Sequence, residues 1–202
     1  MHIDCGKGHG WRSLPCMKAA EERSMYYVLQ VLTGKEEIAI ALIENIVSPE
    51  IYEQCFSLKR HMRKKIGGKW KDIHEKLLPG YVFIRTDNPA VLYEKLRRVP
   101  ALTKLLGREC EREQSFFAAL SERDETWLGK LTGSTDSIGS EVGLSQVDFD
   151  INDEIRIVSG PLADMKGMIK KINLHRRMAE VEMEFMNQKS VVFLGIELVE
   201  KV

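Results

Sequence analysis

The stretch Leu77-Leu78-Pro79-Gly80-Tyr81-Val82-Phe83-Ile84-Arg85 decides how this chain is read. Tyr81 to Ile84 is an unbroken run of aromatic and β-branched residues, which predicts a strand buried on both faces. Pro79 presets φ at about −65°, and Gly80 tolerates conformations that a Cβ forbids. Together they predict a tight bend at the strand entrance, with Leu78 and Tyr81 left near the surface. From spacing alone two readings stand: a plain core strand with a tight entry, or an apolar bend that receives a partner.

Upstream of that strand the chain is basic. Residues 59–76 hold eight Lys or Arg against two acids, Asp72 and Glu75, and Gly67-Gly68 has the form of a two-residue hairpin turn. Lys64, Lys65, Lys69 and Trp70 lie around that turn. One reading is a solvated, mobile hairpin tip, whose like charges repel and which has little apolar area to bury apart from Trp70 and Ile66, so that it becomes ordered only on its target. The other is a positive finger on nucleic acid with Trp70 as a stacking group.

Further upstream, residues 26–31 read as a strand. Thr33-Gly34-Lys35-Glu36 has the form of a capping box. The helix it announces carries Ile38, Ala39, Leu42, Ile43 and Ile46 and ends at Ser48-Pro49, because a residue before proline is pushed out of helical space. Residues 1–24 show no usable period and predict a disordered extension. His2, Cys5, His9 and Cys16 match no standard zinc spacing, so no metal site is expected.

Downstream, Asn88-Pro89 reads as an N-cap followed by proline at the first helical position. A short strand is expected over 103–106, and an amphipathic helix over 115–130 with Phe116, Phe117, Leu120, Trp127 and Leu128 on its apolar side. Gly and Ser enrich 133–143, which predicts a flexible connector. Beyond it the period is two. Ala179, Val181, Met183 and Phe185 alternate with Glu180, Glu182 and Glu184, the pattern of a half-buried strand. Four or five such short strands suit a small SH3-like barrel, with Gly167 expected to interrupt the second strand as a bulge or a sharp bend.

Charge excludes some functions. Lys plus Arg and Asp plus Glu both number 30, so the net charge is zero and any nucleic-acid binding needs locally segregated cations. One such cluster is the predicted hairpin 170–177, with Lys170, Lys171, His175, Arg176 and Arg177; pairing about His175 would set Lys170 against Glu180. Arginine's planar fork suits phosphate. No run is long and apolar enough for a membrane span, no secretory signal is visible, and Cys5, Cys16, Cys55 and Cys110 make no C-x-x-C pair, so a reduced cytoplasmic location is expected. No catalytic or nucleotide-binding motif is present, so the chain is not read as an enzyme and no cofactor is expected.

A family resemblance joins these pieces. The segment 77–82 resembles the central motif of the NusG N-terminal domain, and Met25-Tyr26-Tyr27-Val28-Leu29-Gln30 resembles that domain's first strand. Arg98-Val99-Pro100-Ala101-Leu102 resembles its R-x-x-P-x-V segment, and 158–169 resembles a KOW motif. The resemblance implies an α+β chain: an N-terminal NusG-type domain over 25–131, with an antiparallel sheet flanked by helices, then a linker over 132–150 and a KOW domain of SH3-like β-barrel form over 151–202. It further implies an apolar depression at Tyr26, Leu78, Pro79, Gly80 and Tyr81 that receives the clamp helices of RNA polymerase. Tyr26 departs from the tryptophan many relatives place there.

Segments such as 173–179 and 194–199 are most similar to the specialised LoaP branch. That likeness implies a monomeric, operon-specific antiterminator whose KOW domain engages a structured leader RNA, with DNA of the transcription bubble as a further contact. Two alternatives stay open: a general elongation factor whose KOW domain binds a protein partner (ribosome or Rho), and a ribosome-associated KOW protein.

Overall fold

The computed structural model describes residues 24–97, 117–134, 136–149 and 154–199. The expectations for 1–23, for 98–102 and for a strand over 103–106 lie outside them. Tyr81–Thr86 is strand β5, paired antiparallel with β1 (Met25–Gln30) on one side and β2 (Gln54–Phe56) on the other; β6 (Phe117–Ala119) completes the order β2-β5-β1-β6. Both faces of β5 are buried, as its composition predicts. Val82 and Ile84 join Leu29 beneath helices α1 (Glu36–Ile46) and α2 (Pro89–Arg97), against Ile40, Ile43, Leu92 and Leu96. Phe83, Tyr26 and Val28 point the opposite way, into a second core shared with helix α3 (Glu122–Thr132) and with the C-terminal sheet.

Two local expectations are corrected. Helix α1 opens at Glu36 with Lys35 at its N-cap and no side-chain cap bond from Thr33; the Glu36 carboxylate instead reaches outward to backbone N–H groups of Gly34 and Gly80. The helix expected over 115–130 is split. Phe117–Ala119 pairs along the free edge of β1, where Phe117 stacks on Tyr27 with ring centroids 5.0 Å apart. The helix begins only after Ser121, whose hydroxyl accepts from the Asp124 N–H at 3.1 Å. An unpaired sheet edge and a strong N-cap outweigh the apolar period that runs through both.

The basic segment is a complete hairpin. Strand β3 (Lys59–Ile66) pairs with β4 (Lys69–Lys76) along its whole length, around Gly67 and Gly68 at φ 60° and 82°. The expectation of an arm ordered only on its target is corrected, because the arm lies along the C-terminal domain. The Gly- and Ser-rich connector is likewise docked. Gly133 closes α3 in the left-handed conformation, Ile138 is buried, and β7 (Glu141–Val142) pairs in parallel with β3. Strand β8 (Ser145–Phe149) then pairs in parallel with β12 (Gln188–Leu198). Ile138, Val142 and Val147, all buried, hold this stretch down where composition alone suggested freedom.

The C-terminal sheet runs β10-β11-β12-β8-β9, a curled half-barrel built with β9 (Ile155–Ser159), β10 (Ile169–Asn173) and β11 (Met178–Phe185). Ala179, Val181, Met183 and Phe185 face its core, as their alternation requires. Gly167 sits in a 3-10 stretch, Pro161–Met168, before the strand; the irregularity falls between Ile169 and Lys171. The chain is thus an α+β protein of two packed parts.

Candidate functional site

The Pro79-Gly80 bend is fixed from three directions. Val31 donates its N–H to the Gly80 carbonyl at 2.8 Å, and Gly80 donates its own N–H to Glu36 Oε1 at 2.6 Å. Gly80 has φ 87°, and a Cβ there would stand 3.1 Å from the Val31 carbonyl oxygen. Burial of Glu36 would raise its pKa, but N–H donors of Gly80, Glu36 and Gly34 and the charge of Lys76 outweigh it and hold the carboxyl below its ordinary value. The bend is therefore a rigid platform.

Around it, Tyr26, Leu78 and Tyr81 do come together, but not as an open depression. Leu78 is only 6% exposed, against the expectation that it lies near the surface. Tyr26 is buried; its hydroxyl donates to Gln54 Oε1 at 2.7 Å and accepts from the Ile138 N–H at 2.9 Å, and the Arg85 guanidinium lies 5.5 Å from its ring centroid. Tyr81 is half-buried against Phe185 of the half-barrel in an edge-to-face contact with centroids 5.4 Å apart. Pro79 alone of the set is exposed. The C-terminal domain covers the apolar end of β5.

Polar contacts pin this packing at the arm. Arg60 donates to the Phe193 carbonyl at 2.8 Å, and Arg63 pairs with Glu197. At Gly195 the backbones of β12 and β3 touch: a Cβ there would stand 2.3 Å from the His61 carbonyl oxygen. Sequence reasoning missed Gly195, and it read Phe185 and Glu36 only as a strand residue and a capping-box residue. An isolated glycine inside an apolar strand pattern was the available signal for the first, since it marks close backbone approach. The contacts of the other two at the bend carry no sequence signal of their own.

The cations divide into compensated and uncompensated groups. Glu75 takes Lys64 at 2.5 Å and Arg60 at 3.3 Å, Asp72 takes Arg63 at 3.3 Å and His61 at 3.1 Å, and Glu37 takes Lys59 and Lys76. Lys64, expected among the nucleic-acid contacts, is thus already paired. Lys170 pairs with Glu182 at 3.0 Å; the expected partner Glu180 faces Lys171 instead, because the bulge after Ile169 shifts the register. Lys65, Lys69, His175 and Arg176 are exposed, and Trp70 and Arg177 half-buried. The Arg177 guanidinium lies 5.2 Å from the Trp70 ring centroid, so the tip of the arm and the turn 174–177 are neighbours.

Clefts of about 620 and 480 Å³ flank α3, with Glu122, Asp164 and Lys130 lining both. Among the described residues no group of three or more His, Cys, Asp or Glu is placed to hold a metal ion. Nor is any helix there long and apolar enough to cross a membrane. Burial, with a smaller contribution from Glu44, pushes the Cys55 thiol up to about 12, which leaves it protonated and unreactive.

The chain is similar to known proteins. The family model for the transcription termination factor nusG matches residues 24–124. The chain is 27% identical over 186 residues to the transcription termination/antitermination protein NusG of Thermus thermophilus, covering 87% of this chain and 97% of that one. It is 24% identical to the NusG of Pasteurella multocida, over 92% and 99% of the two chains. The solved structure reported as "Domain interaction in Thermotoga maritima NusG" matches with a TM-score of 0.47 and 20% identity, over 86% of this chain and 94% of that one. The family comprises transcription factors and not enzymes. By the match across its first strand, its Pro-Gly bend and the sheet they build, this chain belongs to the NusG family of transcription termination and antitermination factors.

Proposed function

We propose that this chain is a processive antitermination and elongation factor of the specialised, LoaP-like kind, working in the cytoplasm as a monomer. Its N-terminal domain binds the clamp helices of RNA polymerase through Tyr26, Leu78, Pro79, Gly80 and Tyr81. Its C-terminal half-barrel acts as a KOW domain and engages a structured leader RNA through Lys171, His175, Arg176 and Arg177. The observation that carries the polymerase half is the covering of Tyr81 by Phe185, in the core that also buries Leu78. This apolar surface on a rigid bend meets a separate domain instead of its own helices, so it is built to be covered and can exchange one cover for another. Binding there requires the two domains to part.

For the RNA half, support comes from Arg176 and Arg177 at the turn 174–177, which no acid among the described residues neutralises, on a chain whose net charge is zero. A second reading rests on Val191 and Phe193, exposed on β12 at 49% and 36%. Such an apolar strand suits a protein partner, as a general factor coupling polymerase to ribosome or Rho requires. The test is affinity capture of the full chain from cells, followed by crosslinking and sequencing of bound RNA. Polymerase together with one discrete leader RNA supports the first reading; polymerase with ribosomal protein or Rho and no discrete RNA supports the second. Absence of polymerase sinks both.

A further inference from the structure

Each acid near the arm neutralises a cation in its lower half or at the strand behind the turn. Glu75, Asp72 and Glu197 take Arg60, Arg63 and Lys64, and Glu182 takes Lys170. Among the described residues, no ion pair reaches Lys65, Lys69, Arg176 or Arg177. These four belong to two domains, yet docking brings their tips together. Lys65 and Trp70 are directly opposite on β3 and β4 and so share one face of the arm. On that indole stacks Arg177, which is held at φ 54° in a turn where Arg176 donates its N–H to Asn173 Oδ1 at 2.9 Å. Folding has therefore gathered unneutralised like charges around one exposed-edge aromatic, an arrangement that costs Coulomb energy until an anion sits there.

From this juxtaposition we infer that the arm and the half-barrel turn form a single RNA-binding surface that exists only while the two domains are docked. Arg176 and Lys65 take phosphates of the stem on either side. The Arg177–Trp70 stack takes an unpaired loop base, which extends the stack as bases extend on aromatic and guanidinium planes. The partner is a folded RNA with an accessible loop base, since A-form stems hide their base edges in the deep groove. The inference rests on the reading that the half-barrel engages RNA and adds to it Trp70 and Lys65 from the other domain. It also makes docking part of recognition: closing the domains completes the site. RNA would consequently favour the state in which Phe185 covers Tyr81, and hand-over to polymerase would follow RNA capture.

The probe is an RNA stem-loop with a randomised loop, enriched on the full-length chain. The tightest stem-loop, a scrambled-loop control and its DNA counterpart are then titrated against wild type and four variants. Trp70→Ala is expected to bind roughly tenfold more weakly, in the range of one lost stacking partner, while Trp70→Phe retains most of the affinity. Arg176→Glu with Arg177→Glu abolishes binding. Gly195→Ala, which forces β12 away from β3 and leaves the Trp70, Lys65, Arg176 and Arg177 side chains in place, weakens binding as Trp70→Ala does; unchanged far-ultraviolet circular dichroism shows that the domains themselves remain folded. If Trp70→Ala binds as tightly as wild type while the double arginine variant fails, the composite surface is wrong and the half-barrel alone reads the RNA. Failure of any stem-loop to enrich above its scrambled control overturns the RNA reading itself. Equal binding of the DNA counterpart overturns the claim that the surface is built for RNA.

Discussion

Phe185 meets Tyr81 edge to face across the boundary between the two domains, with ring centroids 5.4 Å apart. The same Phe185 ring lies 6.1 Å from Phe83, so one side chain of the half-barrel meets both aromatic residues on the outward face of β5. If polymerase binds at Tyr81 as proposed, it and the half-barrel compete for the same ring. Tyr81→Ala is expected to lower polymerase affinity by about 2 kcal/mol, roughly thirtyfold, as truncation of an aromatic anchor does. Gly195→Ala should raise apparent affinity, because it increases the fraction of molecules with the domains apart. Fluorescence titration of labelled chain with purified polymerase reads both, and a shared direction would refute competition for this face.

Ile84 lies on the reverse face of the same strand, fully buried among Leu29, Ile43 and Leu92. Ile84→Ala removes methylenes from a packed interior and should destabilise the domain by about 2–5 kcal/mol. Urea unfolding followed by tryptophan fluorescence measures it. A neighbour such as Tyr81, only half-buried, should cost clearly less when truncated.

Glu36 gives a pH dependence of determinate sign. Its folded pKa lies below the ordinary 4.5. The stability it contributes is therefore fully present above that value and is lost as pH falls below 4.5 through the lower folded value. Glu36→Ala removes charge-assisted bonds to Gly34 and Gly80 and should cost about 2–3 kcal/mol at neutral pH. Its stability should also fall less steeply on acidification than that of wild type. Parallel slopes between pH 5 and 3 would show that Glu36 is protonated alike in both states.

Cys55 should be silent. With its thiol pushed up to about 12 by burial, alkylation by iodoacetamide at pH 8 should be far slower in the native protein than in urea. Mass spectrometry of the peptide that contains it distinguishes the two.

Removing residues 64–71 shortens the arm and takes the Lys64–Glu75 pair with it. The loss is one surface ion pair and one cation–π contact, about 0.5–1 kcal/mol each, while Arg60 and Arg63 keep their contacts to the half-barrel. The melting temperature should move by only a few degrees. A collapse of the transition would mean that the tip, and not its base, secures the docking.

Much of this architecture was legible because it is written in local pattern. The run 81–84 and the alternation from Ala179 to Phe185 fix strands and their buried faces without reference to anything distant. The tight Pro79-Gly80 bend was equally readable from residue chemistry. The misread elements all depend on partners far along the chain. Phe117–Ala119 became a strand because β1 had a vacant edge, and Glu141–Val142 because β3 had one. Leu78 and Tyr81 looked like a surface depression because nothing in their neighbourhood announces Phe185, about a hundred positions away. The charge clusters were visible as composition, but which cations are free depends on register. A one-residue bulge after Ile169 was enough to give Lys170 to Glu182 in place of Glu180.

The parallel pairing of Glu141–Val142 with β3 has a mechanical meaning. Residues 134–144 link the two packed parts, and 136–144 lie against the docked protein: Lys59 donates its N–H to the Ser140 carbonyl at 2.9 Å and Gly139 its N–H to the Thr132 hydroxyl at 2.9 Å. This is stored slack. Parting the domains means unzipping the bridge from the arm, and once free it can extend to about 36 Å. A half-barrel released this way stays tethered to the N-terminal domain, and the length of that leash, not the strength of the docking contacts, sets how far the two domains can separate.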